Sequence, residues 1–215
     1  MRYIVLDTET TGLDPDDGHK IIEIGCVEIL NRKVTDNTFH KYINPEREID
    51  LEASKIHGLT FSNLKNKPIF KDIFNDFLDY IADSPLIIHN APFDIGFLRK
   101  EYNLFQNENN FINNEIIDSL KLARKISPGK RNTLDALCDR YSIDNSDRTL
   151  HGALLDARLL AFVYLKMTIG QNNFDNLTTE TTIPTISLDN TLKEFRIIKA
   201  SEEELKLHDN YFKNN

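Results

Sequence analysis

Two carboxylates stand two positions apart at the end of the first apolar run of the chain. Asp7 and Glu9 close the stretch Tyr3-Ile-Val-Leu-Asp-Thr-Glu9, which is rich in residues that favour a β-strand. Because side chains alternate between the faces of a strand, both acids point to the same face. Such a pair is costly on an apolar strand unless a cation neutralises it, and carboxylate oxygens suit Mg²⁺ or Mn²⁺. A solvated strand end is the alternative, and this stretch alone favours neither.

Two further acids follow where helices are predicted to begin. Asp94 lies in His89-Asn-Ala-Pro-Phe-Asp94, where a short apolar strand gives way to a helix. A role in stabilising the positive end of that helix is the alternative. In His151-Gly-Ala-Leu-Leu-Asp156, the glycine indicates that His151 lies on a loop and Asp156 in the early turns of the next helix. An unrelated histidine and aspartate at a helix start remain an open alternative.

Four acids and one histidine thus fall at strand ends or helix starts. Acids gathered at one edge of a sheet can hold two divalent ions about 3.5–4 Å apart. A histidine with a pKa near neutrality, on a flexible loop, can remove the proton from an attacking water. No Ser-His-Asp or Cys-His arrangement, P-loop or Rossmann glycine pattern stands in the sequence. The set therefore predicts metal-dependent hydrolysis of a phosphodiester by Asp7, Glu9, Asp94, Asp156 and His151.

Two other groups of polar residues carry weaker signals. Glu52 and His57 precede Gly58 in a short predicted helix, and taken alone either could be a surface residue. The pairs Arg124-Lys125 and Lys130-Arg131 flank a Pro-Gly turn. Such a basic pattern is more often a solvated face than a contact for phosphate, and the residues themselves leave the choice open.

The predicted elements alternate in a way that defines the fold class. Residues 20–30 and 34–43 are expected to form strands, and the short link between them predicts an antiparallel hairpin. Shorter strands are expected at 85–89 and 116–118. Helical spacing of apolar residues is found at 51–57, 70–81, 93–102, 119–126, 133–141 and 153–168. A hairpin followed by strands separated by helices predicts an α/β protein with a mixed five-stranded sheet flanked by helices.

Composition narrows the class of protein. The 215 residues are 40% hydrophobic and 28% charged, and no apolar run reaches the ~20 residues of a membrane span. Met1-Arg2 leads directly into the first strand, so a cytoplasmic protein without a signal peptide is expected. Cys26 and Cys138 lie in apolar patterns and are expected in the core. The net charge of −8 argues against bulk capture of nucleic acid, although bound cations can invert the charge of an acidic pocket.

The pattern changes near residue 170. The periodic apolar patterns predict a catalytic domain at 1–170, followed by an Asn- and Thr-rich linker at 171–190. Residues 191–215 recover apolar pattern, and Ser201 with Glu204 has the spacing of a capping box. A short helix is therefore expected there. The segment has too little core to fold alone, so it is predicted to dock on its own domain or on a partner.

The three acidic motifs, taken in order, resemble those of the DEDDh 3′–5′ exonucleases. Asp7-Thr-Glu9, HNAPFDIGF around Asp94, and HGALLDA with His151 and Asp156 match the family pattern at every catalytic position. The resemblance implies a ribonuclease-H-like fold and two catalytic Mg²⁺ or Mn²⁺ ions held by the four acids. It also implies that His151 is the general base.

The same resemblance implies a binding site for the terminal nucleotide. Glu52 and His57 would contact that nucleotide, together with the acids Asp7, Glu9 and Asp156. The backbone of the turn after the first strand would approach it as well. That turn consists of Thr10, Thr11 and Gly12.

Longer stretches are similar to one branch of the family, the proofreading epsilon subunits of bacterial DNA polymerase III. They are HKIIEIG at 19–25, LARKISPGKRNTLDALCDRYSID at 122–144 and RTLHGALLDA at 148–157. This resemblance implies removal of mismatched nucleotides from single-stranded or frayed DNA 3′ ends as nucleoside 5′-monophosphates. It further implies docking on the polymerase alpha subunit through 191–213 and a sliding-clamp contact at Gln171–Phe174. An exonuclease acting on RNA and a non-catalytic assembly adaptor are the alternatives.

Overall fold

The computed structural model describes residues 1–106 and 112–169. The predicted linker, the docking tail and the Gln171–Phe174 segment lie outside these described residues. Within them, no helix is both long enough and apolar enough to cross a membrane.

Five strands form one mixed sheet. They are β1 Arg2–Thr10, β2 Ile21–Leu30, β3 Lys33–Tyr42, β4 Leu86–Ile88 and β5 Ile116–Asp118. The order across the sheet is β3-β2-β1-β4-β5. Strand β2 pairs antiparallel with both β1 and β3, whereas β4 runs parallel to both β1 and β5. The predicted hairpin and the mixed five-stranded sheet are therefore confirmed.

The described residues also form seven α-helices and one 3₁₀ helix at Pro15–Asp17. The α-helices are α1 Leu51–His57, α2 Phe61–Leu64, α3 Phe70–Ile81, α4 Ala91–Asn103, α5 Ser119–Ile126, α6 Leu134–Tyr141 and α7 Ala153–Met167. Six of them match predicted helices within two residues at each end. Helix α2 and the 3₁₀ helix were not predicted, because a helix of three or four residues is too short to show a helical period.

The two faces of the sheet are covered by different helices. Alternate residues of β1 serve the two sides, with Ile4 and Leu6 in one apolar core and Val5 in the other. Helices α3 and α4 cover the first core, and α5, α6 and α7 cover the second. Cys26 and Cys138 are buried in these cores, as predicted.

The parallel pairing of β1 and β4 positions the acids. Both strands end at the same edge of the sheet, since Ile4 and Val5 pair in register with Leu86 and Ile87. Asp7 and Glu9 lie towards the end of β1, and Asp94 lies in the first turn of the helix that follows β4. Residues almost ninety positions apart in the chain therefore meet at one edge.

Candidate active site

A cavity of about 690 Å³ opens at the carboxyl ends of β1 and β4. The four predicted acids and the predicted histidine all line it: Asp7, Glu9, Asp94, His151 and Asp156. The structure therefore brings this whole set to one place. Asp7 and Glu9 therefore line a cavity and do not form the solvated strand end that was the alternative.

Asp94 is held by the residue that separates the two acids of β1. Thr8 points to the opposite face of the strand from Asp7 and Glu9, and its hydroxyl donates a 2.7 Å hydrogen bond to Oδ1 of Asp94. Asp94 is only 3% exposed. Sequence reasoning gave Thr8 no role, because nothing local shows that α4 would cover that face of β1.

Asp156 reaches the site because α7 begins unusually close to the sheet. Gly25 of β2 lies opposite Asp7, and a Cβ there would lie 2.2 Å from backbone atoms of Ala153 and Leu154. The missing side chain allows the first turn of α7 to rest on the strand. That turn carries Asp156, which is 4% exposed.

Three of the predicted residues converge closely enough to share a ligand. One ligand atom from each of Glu9, His151 and Asp156 lies within 4.8 Å of the other two. Carboxylate oxygens and an imidazole nitrogen suit hard or borderline divalent cations. The donor set therefore fits a divalent metal site.

Three acids of the cavity have a raised pKa. Burial, followed by repulsion from Asp94, Glu9 and Asp156, raises the pKa of Asp7 well above its usual range. Burial and repulsion from Asp156 and Glu23 raise the pKa of Glu9 to about 8. Burial also raises the pKa of Asp94 to about 7, although the bond from Thr8 opposes the shift. Negative charge is thus concentrated here beyond what the protein compensates, as in sites that bind cations.

Arg148 is the main residue of the site that sequence reasoning missed. Its side chain is 7% exposed and donates two 2.6 Å hydrogen bonds to the carboxylate of Asp156. A third bond of 2.7 Å reaches Asp135. Burial disfavours its charge, but these contacts hold the pKa of Arg148 above its usual value. Arg148 lies in the stretch at 148–157 that resembles the epsilon subunits, yet no local pattern indicates that its guanidinium turns inwards.

His151 lies on the loop before α7, as the glycine after it predicted. Its backbone N–H donates to the carbonyl of Ile56 at 3.1 Å, which ties the loop to α1. Nδ1 of the ring accepts a 3.1 Å hydrogen bond from Arg148 and lies 3.7 Å from Oδ2 of Asp156. Burial and the charge of Arg148 lower the pKa of His151. The imidazole is therefore neutral at physiological pH and able to accept a proton.

Glu52 and His57 do not line the cavity. The side chain of Glu52 is 82% exposed and pairs with Lys55 at 2.6 Å. His57 is buried, and its Nδ1 accepts a 3.1 Å bond from the N–H of Leu59. Its Nε2 has no hydrogen-bond partner of good geometry among the described residues. Burial lowers the pKa of His57, and the nearby Thr10 backbone partly offsets that shift. A buried, unsatisfied ring nitrogen is a group to which a ligand can bind.

The turn after β1 forms its own hydrogen-bonded unit. The hydroxyl of Thr10 donates to the carbonyl of Gly12 at 2.6 Å, and the hydroxyl of Thr11 accepts from the N–H of Lys20 at 3.0 Å. Gly12 fits closely against His19, whose ring atoms lie 2.3–2.5 Å from where a Cβ would be. These three residues do not line the cavity of the acids. Their contact with a nucleotide stays a prediction.

Curated proteins similar to this chain share most of its length. A protein named DNA polymerase III subunit epsilon from Buchnera aphidicola subsp. Schizaphis graminum is 52% identical, over 99% of this chain and 96% of its own. Proteins of the same name from Salmonella typhimurium and Escherichia coli K12 are 50% and 47% identical. In both comparisons the alignment covers 97% of this chain and 90% of the relative.

Solved structures show the same architecture. Exonuclease X, solved in complex with 5′ overhanging duplex DNA, aligns with a TM-score of 0.64 at 26% identity and covers 80% of this chain and 93% of its own. A full-length 3′-exonuclease aligns with a TM-score of 0.67 at 18% identity, which shows the fold alone. The sheet order and these likenesses confirm the ribonuclease-H-like fold.

A protein-family model also matches most of the chain. The model described as Exonuclease matches residues 4–164, which include every residue that lines the cavity of the acids. The chain belongs to the exonuclease family.

Proposed function

We propose that this protein is the proofreading subunit of a bacterial replicative DNA polymerase. It removes mismatched 3′-terminal nucleotides from DNA and releases nucleoside 5′-monophosphates. The observation that carries the proposal is the meeting of four acids and a neutral histidine in one cavity of an exonuclease-family chain. The relatives named DNA polymerase III subunit epsilon, which align with 97–99% of the chain, support the assignment to a polymerase.

Asp7, Glu9, Asp94 and Asp156 hold two divalent cations, Mg²⁺ or Mn²⁺. The raised pKa values of Asp7, Glu9 and Asp94 support this role, because a bound cation would stabilise their charged carboxylates. When bound, the cations would lower the pKa of the attacking water and stabilise the leaving oxygen. Thr8 keeps the carboxylate of Asp94 turned towards the cavity through its 2.7 Å hydrogen bond.

His151 is the general base. Its Nδ1 carries the lone pair of the neutral ring, so this nitrogen takes the proton of the attacking water in place of the hydrogen bond from Arg148. Burial and Arg148 keep the imidazole neutral, so it can take up a proton at physiological pH. The loop that carries it is tied to α1 through the Ile56 carbonyl, and His151 lines the cavity. A general base positioned in this way contributes about 10²–10⁴-fold to a rate.

The terminal nucleotide is held beside the acids. Glu52 and His57 contact it, and the backbone of Thr10-Thr11-Gly12 approaches it. The unsatisfied Nε2 of buried His57 supports a ligand contact there. A mismatched end frays more easily than a paired one, so the requirement for a single-stranded 3′ end makes removal selective.

The chain is organised as a catalytic domain at 1–170, a linker at 171–190 and a docking tail at 191–215. Residues 191–213 bind the polymerase alpha subunit, and Gln171–Phe174 contacts the sliding clamp. Tethering of this kind raises the effective concentration of the exonuclease at the primer end. It also suits a net charge of −8, since the partners can supply affinity for DNA. Assembly with a bacterial replicative polymerase implies that the protein works in the cytoplasm.

A nuclease assay on 5′-labelled DNA tests the function. The wild-type chain is expected to shorten a mismatched primer from its 3′ end in Mg²⁺, faster than a matched one, and to stop in EDTA. Asp7→Ala is expected to abolish shortening and to leave the circular dichroism spectrum unchanged. Full activity of that variant would refute the assignment of the site. Preference for an RNA oligonucleotide would favour an exonuclease that acts on RNA. Absence of any hydrolysis would favour a non-catalytic assembly adaptor.

A further inference from the structure

The cavity of the acids has a second wall made of cations. Arg124 in the last turn of α5, and Lys130 and Arg131 in the loop between α5 and α6, all line it. These three residues, here called the basic wall, are exposed. In the part of the chain that the structure describes, none of their side chains forms an ion pair.

The loop that carries Lys130 and Arg131 is held in place by hydrogen bonds to neighbouring side chains. The Asn132 side chain donates a 3.0 Å hydrogen bond to the Lys130 carbonyl and accepts one of 2.8 Å from Arg140. Nε2 of His89 faces the Asn132 carbonyl at 2.9 Å and must be the donor, since a carbonyl only accepts. The backbone is therefore ordered by neighbouring side chains, while the charged groups stay free for a ligand. Ordering before binding lowers the entropic cost of holding that ligand.

Helix capping does not explain the basic wall. Cations near the end of a helix are favoured by its dipole, and that accounts for a charge at Arg124 or Lys125. It does not account for Lys130 and Arg131, which follow the helix. Nor does it distinguish Arg124, which lines the cavity, from Lys125, which does not. Arg124, Lys130 and Arg131 have in common that they line the cavity.

We propose that Arg124, Lys130 and Arg131 bind phosphates of the DNA strand on the 5′ side of the scissile bond. The inference rests on the proposed function, in which the 3′-terminal nucleotide lies at the acids. The rest of the strand then has to leave the cavity past a neighbouring wall. An acidic wall would repel its phosphates, whereas three unpaired cations attract them. This local patch provides the DNA affinity that the net charge of −8 does not.

Equilibrium binding tests the basic wall apart from catalysis. His151→Ala provides the background in which cleavage is suppressed, and the full chain with Mg²⁺ is titrated with a fluorescent single-stranded DNA 12-mer. Adding Arg124→Ala, Lys130→Ala and Arg131→Ala together is expected to weaken binding about tenfold or more at low salt. The slope of log affinity against log salt concentration should become shallower by about 2, since each lost phosphate contact on a single strand contributes roughly 0.7. Thymidine 5′-monophosphate, which has no second phosphate, should bind within about twofold of the background.

Lys125→Ala in the same background is the matched control. It removes an equal charge from the same last turn of α5, outside the cavity, and is expected to change the affinity and the salt slope little. If the triple variant fails to fold, the single variants Arg124→Ala and Arg131→Ala take its place, each with a slope change of about 0.7. An unchanged 12-mer affinity, an equal loss with Lys125→Ala, or an equal loss for the mononucleotide would overturn the proposal. Failure of the proposed function would show separately, as absence of hydrolysis by the wild-type chain.

Discussion

Arg148 and Asp156 form a two-pronged ion pair at the centre of the site. Nε and Nη2 of the arginine each donate a 2.6 Å hydrogen bond to a different carboxylate oxygen. Both side chains are at most 7% exposed, and the same guanidinium also contacts Nδ1 of His151. One arginine thus touches both a proposed metal ligand and the proposed general base. Its charge compensates a carboxylate that a cation would otherwise compensate.

Arg148→Met should therefore destabilise the protein most strongly in EDTA. Removing one partner of a buried ion pair leaves the other charge uncompensated and typically costs about 3–5 kcal/mol. A divalent cation bound by Asp156 would take over that compensation, so the addition of Mn²⁺ should recover most of the loss. The free energy of unfolding, measured by urea denaturation with EDTA and with Mn²⁺, gives both values.

Asp135→Asn is the control for the Arg148 variant. It removes a partner of the same guanidinium that is 55% exposed, so it should cost no more than about 1 kcal/mol. Equal losses for Arg148→Met in EDTA and in Mn²⁺ would contradict the compensating role of Arg148.

The stabilising effect of Mg²⁺ should grow with pH. The pKa is raised from 4.5 to about 8 for Glu9 and from 3.8 to about 7 for Asp94. A carboxyl whose pKa is higher in the folded chain binds more protons when folded, so raising the pH from about 5 to about 8 destabilises the fold in EDTA. Cation binding requires the deprotonated carboxylates, which the higher pH provides. The difference in Tm between Mg²⁺ and EDTA should therefore increase across this window.

Measuring that difference cancels the titration of groups remote from the site, because they contribute equally to both samples. Thermal unfolding at pH 5, 6, 7 and 8 is sufficient. A difference in Tm that stays constant, or that shrinks as the pH rises, would show that the acids of the cavity do not bind the cation.

Gly25→Ala should impair activity although the residue touches no substrate. The new methyl group would lie 2.2 Å from the backbone of Ala153 and Leu154, so the start of α7 would have to move away from the sheet. Asp156 would move with it, and a displacement of about 1 Å can cost about 10²-fold in rate. Steady-state kinetics with Mg²⁺, together with Tm, should show both a loss of rate and a loss of stability.

Gly96→Ala is the matched control for this substitution. Gly96 lies within α4, and the nearest atom to an added Cβ is 3.9 Å away, in Pro15. Alanine favours a helix interior over glycine, so stability should be equal or higher by up to about 1 kcal/mol. If Gly25→Ala behaves like Gly96→Ala, the approach of α7 to the sheet does not set the position of Asp156.

His151→Ala should lower kcat by about 10²–10⁴-fold, the usual contribution of a general base. The side chain is 42% exposed, so its removal uncovers little buried surface and the Tm should change little. Binding of DNA should persist, because the acids and the basic wall are intact. A kcat within threefold of the wild type would exclude His151 as the base.

Removal of the residues after Gly170 should separate catalysis from assembly. The cavity and both apolar cores lie within the residues that remain, so hydrolysis of a DNA oligonucleotide should be retained. Co-elution with the polymerase catalytic subunit on size-exclusion chromatography should be lost. Persistent co-elution would place the docking surface in residues 1–170 instead.

The sequence by itself determined the elements and the chemical types at their ends. Apolar patterns located five strands and six helices, because short apolar runs and the period of 3.6 residues are local properties of the chain. The acids Asp7, Glu9, Asp94 and Asp156 could be singled out for a similar local reason. Each stands at the end of an apolar strand or at the start of a helix, and there a polar side chain can face a cavity rather than the core.

Only the tertiary structure decided which residues meet. Arg148 turns inwards to Asp156, Thr8 holds Asp94, and the basic wall faces the acids. These contacts depend on the order of strands across the sheet and on the close approach of α7 above Gly25. Neither is written in a local pattern, since both arise from packing between segments far apart in the chain. For the same reason the two basic pairs could not be told from a solvated face until α5 and its loop were placed beside the cavity.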